Sequence, residues 1–575
     1  MKELFKNLKF AWKFAKYQKI KVIKFILMNI LGVIISVTVP ILSARIIISL
    51  AKNNFEQIIL IAVVIFVVEN ARNLVHYLNR YYSQIIYRET FTKIEIELGS
   101  NILKLENKVI DSNSSGVFIQ RLTNDTSRLA DVFNSIIFNL SYIITDIGIF
   151  AAIFIISKVA FIYLIVMTLI LFTIERIRVN KYNLKDKEFR KENEKVSGFV
   201  GEMVRGSRDI KMLNAEDSFI DDLKFKIFNL NNNRYSMQKT DRKYKFLRGF
   251  MLDSTDLLLI FLLVYLMTHN GLAAASALVI HNYSGRVTGI LNYFGNLMDS
   301  LKDFNLSSTR IFNIIYSDDF KKETFGTKNL KHIKGNFEFK NVSFSYDKNK
   351  VLDDLSFKIK PKETVAFVGK SGAGKTTIFN LLCKMYDVDE GKVTIDGIDI
   401  RDLDKDSIRG NITIVSQNPY IFNLSIKDNL KLVKKDLTDD EMISACKTAC
   451  LHDFIINLPE GYDTIVGEGG INLSGGQKQR LAIARALVQK TKIILFDEAT
   501  SALDNETQTS IQQAINNMKN DYTILIIAHR LSTIINSDRI LLLNDGKIEA
   551  EGTHQELLKN NKNYKKLYES ELTKD

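Results

Sequence analysis

Three stretches in the second half of the chain combine residue types that handle phosphate. Gly369, Lys370, Ser371, Gly372, Ala373, Gly374, Lys375, Thr376 and Thr377 follow the apolar run Thr364 to Val368 and precede the helix-like Ile378 to Met385. Glycines let backbone N–H groups curl round an anion, and the helix that follows presents its positive end. Lys375 is placed to neutralise β and γ phosphates and Thr376 to offer a hydroxyl to Mg²⁺, so the strand, loop and helix read as a P-loop.

The second stretch is Ile493, Ile494, Leu495 and Phe496, which ends abruptly in Asp497 and Glu498. A buried strand delivering two carboxylates suits phosphoryl chemistry: Asp497 to hold magnesium, Glu498 to take a proton from the attacking water. Beside a P-loop this signal is strong; alone it marks only a strand end at the surface. The third stretch, Leu473, Ser474, Gly475, Gly476, Gln477, Lys478, Gln479 and Arg480, opens the helix Leu481 to Val488 and makes a second anion-binding helix start. One chain has no need of two cradles for one nucleotide unless each serves a different copy of the domain.

These motifs must be carried by a folded soluble domain, and the chain has room for it. At 575 residues it exceeds the roughly 250 to 300 at which single cores stop growing. Short β-branched strands alternate with helices beyond about residue 320, which predicts an α/β domain. Upstream the composition is different. Apolar stretches long enough to cross a bilayer begin near Val22, Ile58, Ile136, Val159, Phe246 and Leu272. The first, Val22 to Leu50, is much longer than the apolar part of a cleaved leader and is expected to stay as a membrane helix.

Turns between the first and second, third and fourth, and fifth and sixth spans are short, whereas Arg80 to Val132 and Arg176 to Arg248 are long, charged and helical in pattern. Helices two to five are therefore expected to project into the cytoplasm, with both termini inside. The net charge of +13 fits this topology better than nucleic-acid binding, because Lys2, Lys6, Lys9, Lys13, Lys16, Lys19, Lys21 and Lys24 crowd just before the first span. Leu4, Phe5, Leu8, Ala11, Trp12 and Phe14 recur among them at helical spacing, the pattern of an interfacial helix, with a solvated basic tail as the plainer alternative. The cysteines, Cys383, Cys446 and Cys450, all lie in the soluble half without CxxC spacing, which implies a reduced compartment.

Polar residues fall at helical intervals within the spans: Glu69, Arg72, Asn73, His76 and Arg80 in the second, Ser135, Asn139, Tyr142 and Asp146 in the third, and His281, Thr288, Asn292, Asn296 and Asp299 in the sixth. Polar groups in hydrocarbon are costly, so these face protein or a wet cavity. They read as a translocation pathway or as polar contacts between neighbouring helices.

The order of the P-loop, the LSGGQ stretch at Leu473 to Gln477 and the Asp497 and Glu498 pair resembles the ATP-binding cassette proteins, and the whole chain resembles their exporter-type half transporters. The resemblance implies six transmembrane helices with long cytoplasmic extensions, followed by an α/β P-loop ATPase with a helical subdomain. It divides the chain into an interfacial helix at 1–20, a membrane domain at 21–318, a linker at 319–332 and a cassette at 333–575. It further implies that Tyr346 stacks on adenine, that Gln417 links magnesium to the membrane domain, that Ser501 to Asp504 cross a dimer interface, and that His529 contacts the γ phosphate. The regions Asp111 to Gly116 and Gly206 to Glu216 resemble coupling helices, and Glu468, Gly469 and Gly470 an exporter-specific contact with them.

The expected protein is an ATP-driven exporter of an amphipathic, peptide-like or lipid-like compound in a plasma membrane, using ATP and Mg²⁺, as a homodimer and without nucleic acid. A lipid flippase, or an ATP-gated channel or sensor, would carry the same motifs. Richness in Lys, Asn and Ile fits an AT-rich bacterial genome.

Overall fold

The computed structural model describes residues 2–51, 55–287, 289–330, 333–346, 349–416, 419–467, 470–497, 505–527 and 534–572. The chain divides into two units: one of Met1–Leu103 and Ser114–Phe320, the other of Lys104–Asn113 and Lys321–Asp575.

The first unit is helical. After α1 (Lys2–Ala15) come α2 (Lys19–Ala51) and α3 (Phe55–Ile102); α4 (Asn107–Ser112) belongs to the second unit. Then follow α5 (Ser115–Gln120), α6 (Thr126–Ile156), α7 (Lys158–Arg205), α8 (Ser207–Met212) and α9 (Glu216–His269). The unit closes with α10 (Ala274–Val287) and α11 (Ile290–Tyr316). The 48 residues of α3 reach about 72 Å at 1.5 Å per residue, more than twice the roughly 30 Å of a bilayer's hydrocarbon. Ordinary helix geometry therefore carries its charged end well beyond the apolar part.

Among the described residues, five helices are long and apolar enough to cross a membrane. The sixth span expected from Leu272 is built from α10 and α11, and Thr288, at their junction, lies outside the described residues. Between α6 and α7 stands only Ser157, whose hydroxyl caps α7 by accepting from the Ala160 N–H at 3.3 Å. Ile149, Ile153, Leu164, Leu259, Leu263, Ile280 and Tyr283 form a buried core where α6, α7, α9 and α10 meet.

The apolar stripe of α1 is divided between two surroundings. Phe10 and Phe14 are buried, with Phe10 edge-on to Phe312 of α11 at 5.4 Å, and Asn7 donates to the Asn305 side chain at 2.7 Å. Phe5 remains exposed. Of the stripe, Ala11 and Phe14 pack against protein, whereas Trp12 is exposed like Phe5.

In the second unit an antiparallel sheet, ordered β2-β1-β4-β5, contains β1 (Phe337–Tyr346), β2 (Asn349–Ile359), β4 (Glu390–Ile395) and β5 (Ile398–Asp399). A six-stranded sheet, ordered β12-β11-β3-β10-β9-β6, contains β3 (Thr364–Gly369), β6 (Ile412–Val415), β9 (Ile493–Asp497), β10 (Thr523–Ile527), β11 (Arg539–Asn544) and β12 (Lys547–Gly552). All its pairings are parallel except β11 with β12. Covered on both faces, its central strands read as continuous apolar runs. Ile493, Ile494, Leu495 and Phe496 are fully buried, contributing at most about 1.5–3 kcal/mol each.

Helix α12 (Lys375–Leu382) follows β3. A largely helical insert contains the short strands β7 (Leu424–Ser425) and β8 (Ile465–Val466) with α14 (Ile426–Lys431), α15 (Asp439–Thr448) and α16 (His452–Ile456). It leads into α17 (Gly475–Gln489), and α13 (Lys405–Arg409) lies earlier, before β6.

Candidate nucleotide site

Parallel strands bring their carboxyl ends to one edge of a sheet, where open α/β folds bind ligands. β3 ends there in Gly369, β9 in Asp497, β10 in Ile527 and β6 in Val415. The register aligns Ile527 with both Phe367 and Asp497, which sets Asp497 two strands away from β3 and level with Phe367.

From Gly369 the chain turns through exposed Ser371 and Gly372 into α12. Gly372 and Gly374 have φ of 83° and 95°, a region open to glycine at little cost. A Cβ at Gly374 would also stand 2.6 Å from Leu352 Cδ2. The turn closes round Lys375: this side chain is 6% exposed, and its Nζ donates to the carbonyls of Gly369 at 2.8 Å and Lys370 at 2.9 Å. The loop thereby holds an ammonium at its centre while the first N–H groups of α12 have no acceptors within the helix. Thr377 is buried, so its contribution to such a cradle is its backbone N–H.

The Thr376 hydroxyl donates to Asp497 Oδ1 at 3.2 Å. A hydroxyl and a carboxylate oxygen meeting beside a phosphate cradle are hard oxygen donors, the set that suits Mg²⁺. Tyr346, at the end of β1, is half-buried; its hydroxyl accepts from Asn380 Nδ2 of α12 at 3.3 Å, and its ring meets Phe344 edge-on at 4.8 Å. The expected residues Gln417, Glu498, Asp504 and His529 lie outside the described residues, as do Ser501 to Leu503, Glu468 and Gly469.

At the third stretch Ser474 caps α17 in a reciprocal capping box. Its hydroxyl accepts from the Gln477 N–H at 3.3 Å, and Gln477 Oε1 accepts from the Ser474 N–H at 2.8 Å. Ser474 and Gly475 are exposed, whereas Leu473 and Gly476 are buried and anchor the start of the helix.

The polar residues of the first unit are not all brought together. His76 and Arg80 of α3 share a cavity of about 480 Å³ with Ser135, Asn139 and Tyr142 of α6. Glu69 and Arg72 instead pair with each other, and Asn292 accepts from Arg248 at 2.9 Å. Tyr142 stacks on Tyr293 with centroids 4.4 Å apart. Asp146 is buried, while Asn296 and Asp299 are exposed.

Of the regions that resemble coupling helices, the first is helical at Asn107–Ser112, four residues earlier than expected at its start. It is joined to the second unit by backbone bonds from Glu106 N to Lys321 O at 3.0 Å and from Glu323 N to Lys104 O at 2.9 Å. The second contains α8, which buries none of its residues, and Met212 and Leu213 are 81% and 77% exposed. Sequence reasoning passed over Tyr386, whose hydroxyl donates to Asp111. Only its aromatic type next to Asp387 was visible, which is no signal by itself.

Comparison with known proteins gives a consistent picture. A family model described as the ABC transporter transmembrane region matches residues 22–291, and one described as ABC transporter matches residues 352–501. The chain is 31% identical over 539 residues to an ATP-dependent lipid A-core flippase of Haemophilus influenzae (strain 86-028NP), covering 91% of this chain and 89% of that one. It is 32% identical over 505 residues to an ATP-binding/permease protein of Bacillus subtilis (strain 168) named for multidrug export, covering 86% of each. The fold matches the structure of a bacterial Atm1-family ABC exporter with ATP bound, with a TM-score of 0.81 at 24% identity over 96% of this chain and 98% of that one.

Proposed function

We propose that this chain, which belongs to the ABC transporter family and is a multi-pass membrane ATPase of the exporter type, works as two identical copies that close on ATP and Mg²⁺ to export an amphipathic or lipid-like compound. The observation that carries the reading is the convergence at one sheet edge of the Lys375-centred loop and the Thr376–Asp497 pair.

In this reading Tyr346 stacks on adenine, and the backbone N–H groups of Gly372, Gly374, Lys375, Thr376 and Thr377 hold the phosphates with the Lys375 ammonium. Thr376, Asp497 and Gln417 hold Mg²⁺, which when bound neutralises charge on the β and γ phosphates. Glu498 accepts a proton as water attacks the γ phosphorus and its bond to the β–γ bridging oxygen breaks. His529 steadies the γ phosphate. The helix start at Ser474, Gly475, Gly476 and Gln477, exposed at Ser474 and Gly475, faces the γ phosphate of the other copy, with Asp504 at the interface between copies.

The second anion-binding helix start at Ser474 supports a second copy, since one chain has no need of two cradles for one nucleotide. Closed two-fold dimers are also the commonest oligomers. The cassettes and both termini are then cytoplasmic, and the cavity of His76, Asn139 and Tyr142 offers polar and aromatic contacts to an amphipathic cargo.

Reconstitution in liposomes with outward-facing cassettes tests this. ATP-dependent accumulation of Hoechst 33342, or translocation of a fluorescent phospholipid, is expected with the parent protein and not with Glu498→Gln. ATP hydrolysis that never drives flux of a broad panel against a gradient would replace export by a channel or sensor role.

A further inference from the structure

Tyr386 lies four residues beyond α12, just after Lys384, whose φ is 50°. No expected nucleotide-binding loop includes it. Its ring nevertheless stands edge-on to that of Tyr346, with centroids 5.2 Å apart and planes at 87°, and it meets Phe344 at 5.7 Å. On its far side the hydroxyl donates to Asp111 Oδ2 of α4. Asn107 of the same helix donates to the carbonyl of Met385, next to Tyr386, at 3.5 Å. Val109 of α4 is buried.

These contacts make Tyr386 a bridge with two different ends. One end is α4, which lies in the segment Lys104–Asn113 of the second unit although Leu103 before that segment and Ser114 after it belong to the first. The other is Tyr346, itself tied through Asn380 to α12, the helix that begins with Lys375. An edge-to-face aromatic pair fixes ring orientation, and a stacking platform binds well only when its plane is set beforehand. Burial, and then the Asp111 carboxylate, push the Tyr386 hydroxyl well above its ordinary pKa, so it stays a donor at working pH.

The geometry points to Tyr386 as a positioning residue that, when held by Asp111, sets the plane of Tyr346, so that affinity for the adenine of ATP depends on the seating of α4. Reciprocity follows: adenine bound on Tyr346 tightens the hold on α4 by the same factor. The inference rests on the reading of Tyr346 as the adenine platform.

The test uses full-length protein in lipid nanodiscs, with KM for ATP and kcat measured for Tyr386→Phe, Asp111→Asn, their combination, Tyr346→Ala, and Tyr346→Ala with Asp111→Asn. Tyr386→Phe keeps the ring and removes only the hydroxyl. It and Asp111→Asn are each expected to raise KM about 2- to 10-fold, the range of one hydrogen bond, with a much smaller change in kcat. Their combination is expected to be no worse than either, and Asp111→Asn to add nothing once Tyr346 is alanine, a non-additivity that merely weakened folding would not produce. An unchanged KM in Tyr386→Phe, or effects that multiply, overturns the inference. If Tyr346→Ala itself leaves KM unchanged, the platform reading fails first; if it raises KM while Tyr386→Phe and Asp111→Asn do not, only the bridge fails.

Discussion

The hydroxyl of Thr376 and the carboxylate of Asp497, 121 residues apart in sequence, are hydrogen-bonded at 3.2 Å. With its proton given to Asp497, the hydroxyl keeps its lone pairs as acceptors for a cation. Thr376→Val preserves shape and removes that ligand. The half-saturating Mg²⁺ concentration for ATP hydrolysis should rise about tenfold or more, the effect of losing roughly 1.4 kcal/mol of metal binding. An unchanged Mg²⁺ titration would remove Thr376 from the metal site.

Lys375 and Glu498 are expected to fail for different reasons. Lys375→Ala removes the ammonium that two loop carbonyls hold in place, so nucleotide binding should weaken together with turnover, by about 10²-fold or more. Glu498→Gln should retain ATP binding while hydrolysis falls about 10²- to 10⁴-fold, as for loss of a general base. Near-normal hydrolysis in the Glu498→Gln protein would assign the base elsewhere.

Two competent sites in a homodimer predict a specific dose response. When parent chains are mixed with Glu498→Gln chains before assembly, activity should fall as the square of the parent fraction if both sites must fire. A linear fall would mean independent sites. A purified chain that stays monomeric and inert until a different protein is added would refute the homodimer.

The cavity between α3 and α6 should affect cargo rather than chemistry. Tyr142→Ala removes the stack on Tyr293, and Asn139→Leu replaces a polar lining group with an apolar one. Both should lower Hoechst 33342-stimulated ATPase severalfold while changing basal ATPase less. Parallel loss of basal and stimulated rates, with a lowered Tm, would assign these residues to packing.

What the sequence determined by itself is what depends on neighbours along the chain. Gly369 to Thr377 form their loop because a β-branched run feeds glycines and then a helix, and Ser474 with Gln477 announces its capping box at a spacing of three. Ile493 to Phe496 declare a buried strand, and the apolar runs declare the membrane helices because hydrocarbon thickness sets a length that can be counted. Tertiary structure alone decided which of these meet. Strand order places β10 between β3 and β9 and so brings Thr376 to Asp497; no local periodicity encodes that order. Glu69 with Arg72, and Asn292 with Arg248, became ion-pair and hydrogen-bond partners instead of cavity lining because helix rotation and neighbours settle which polar group faces which. Tyr386 and Asp111, 275 residues apart, meet because α4 joins the second unit, and pairing at that distance is a property of the folded surfaces, which one sequence read along its length does not display.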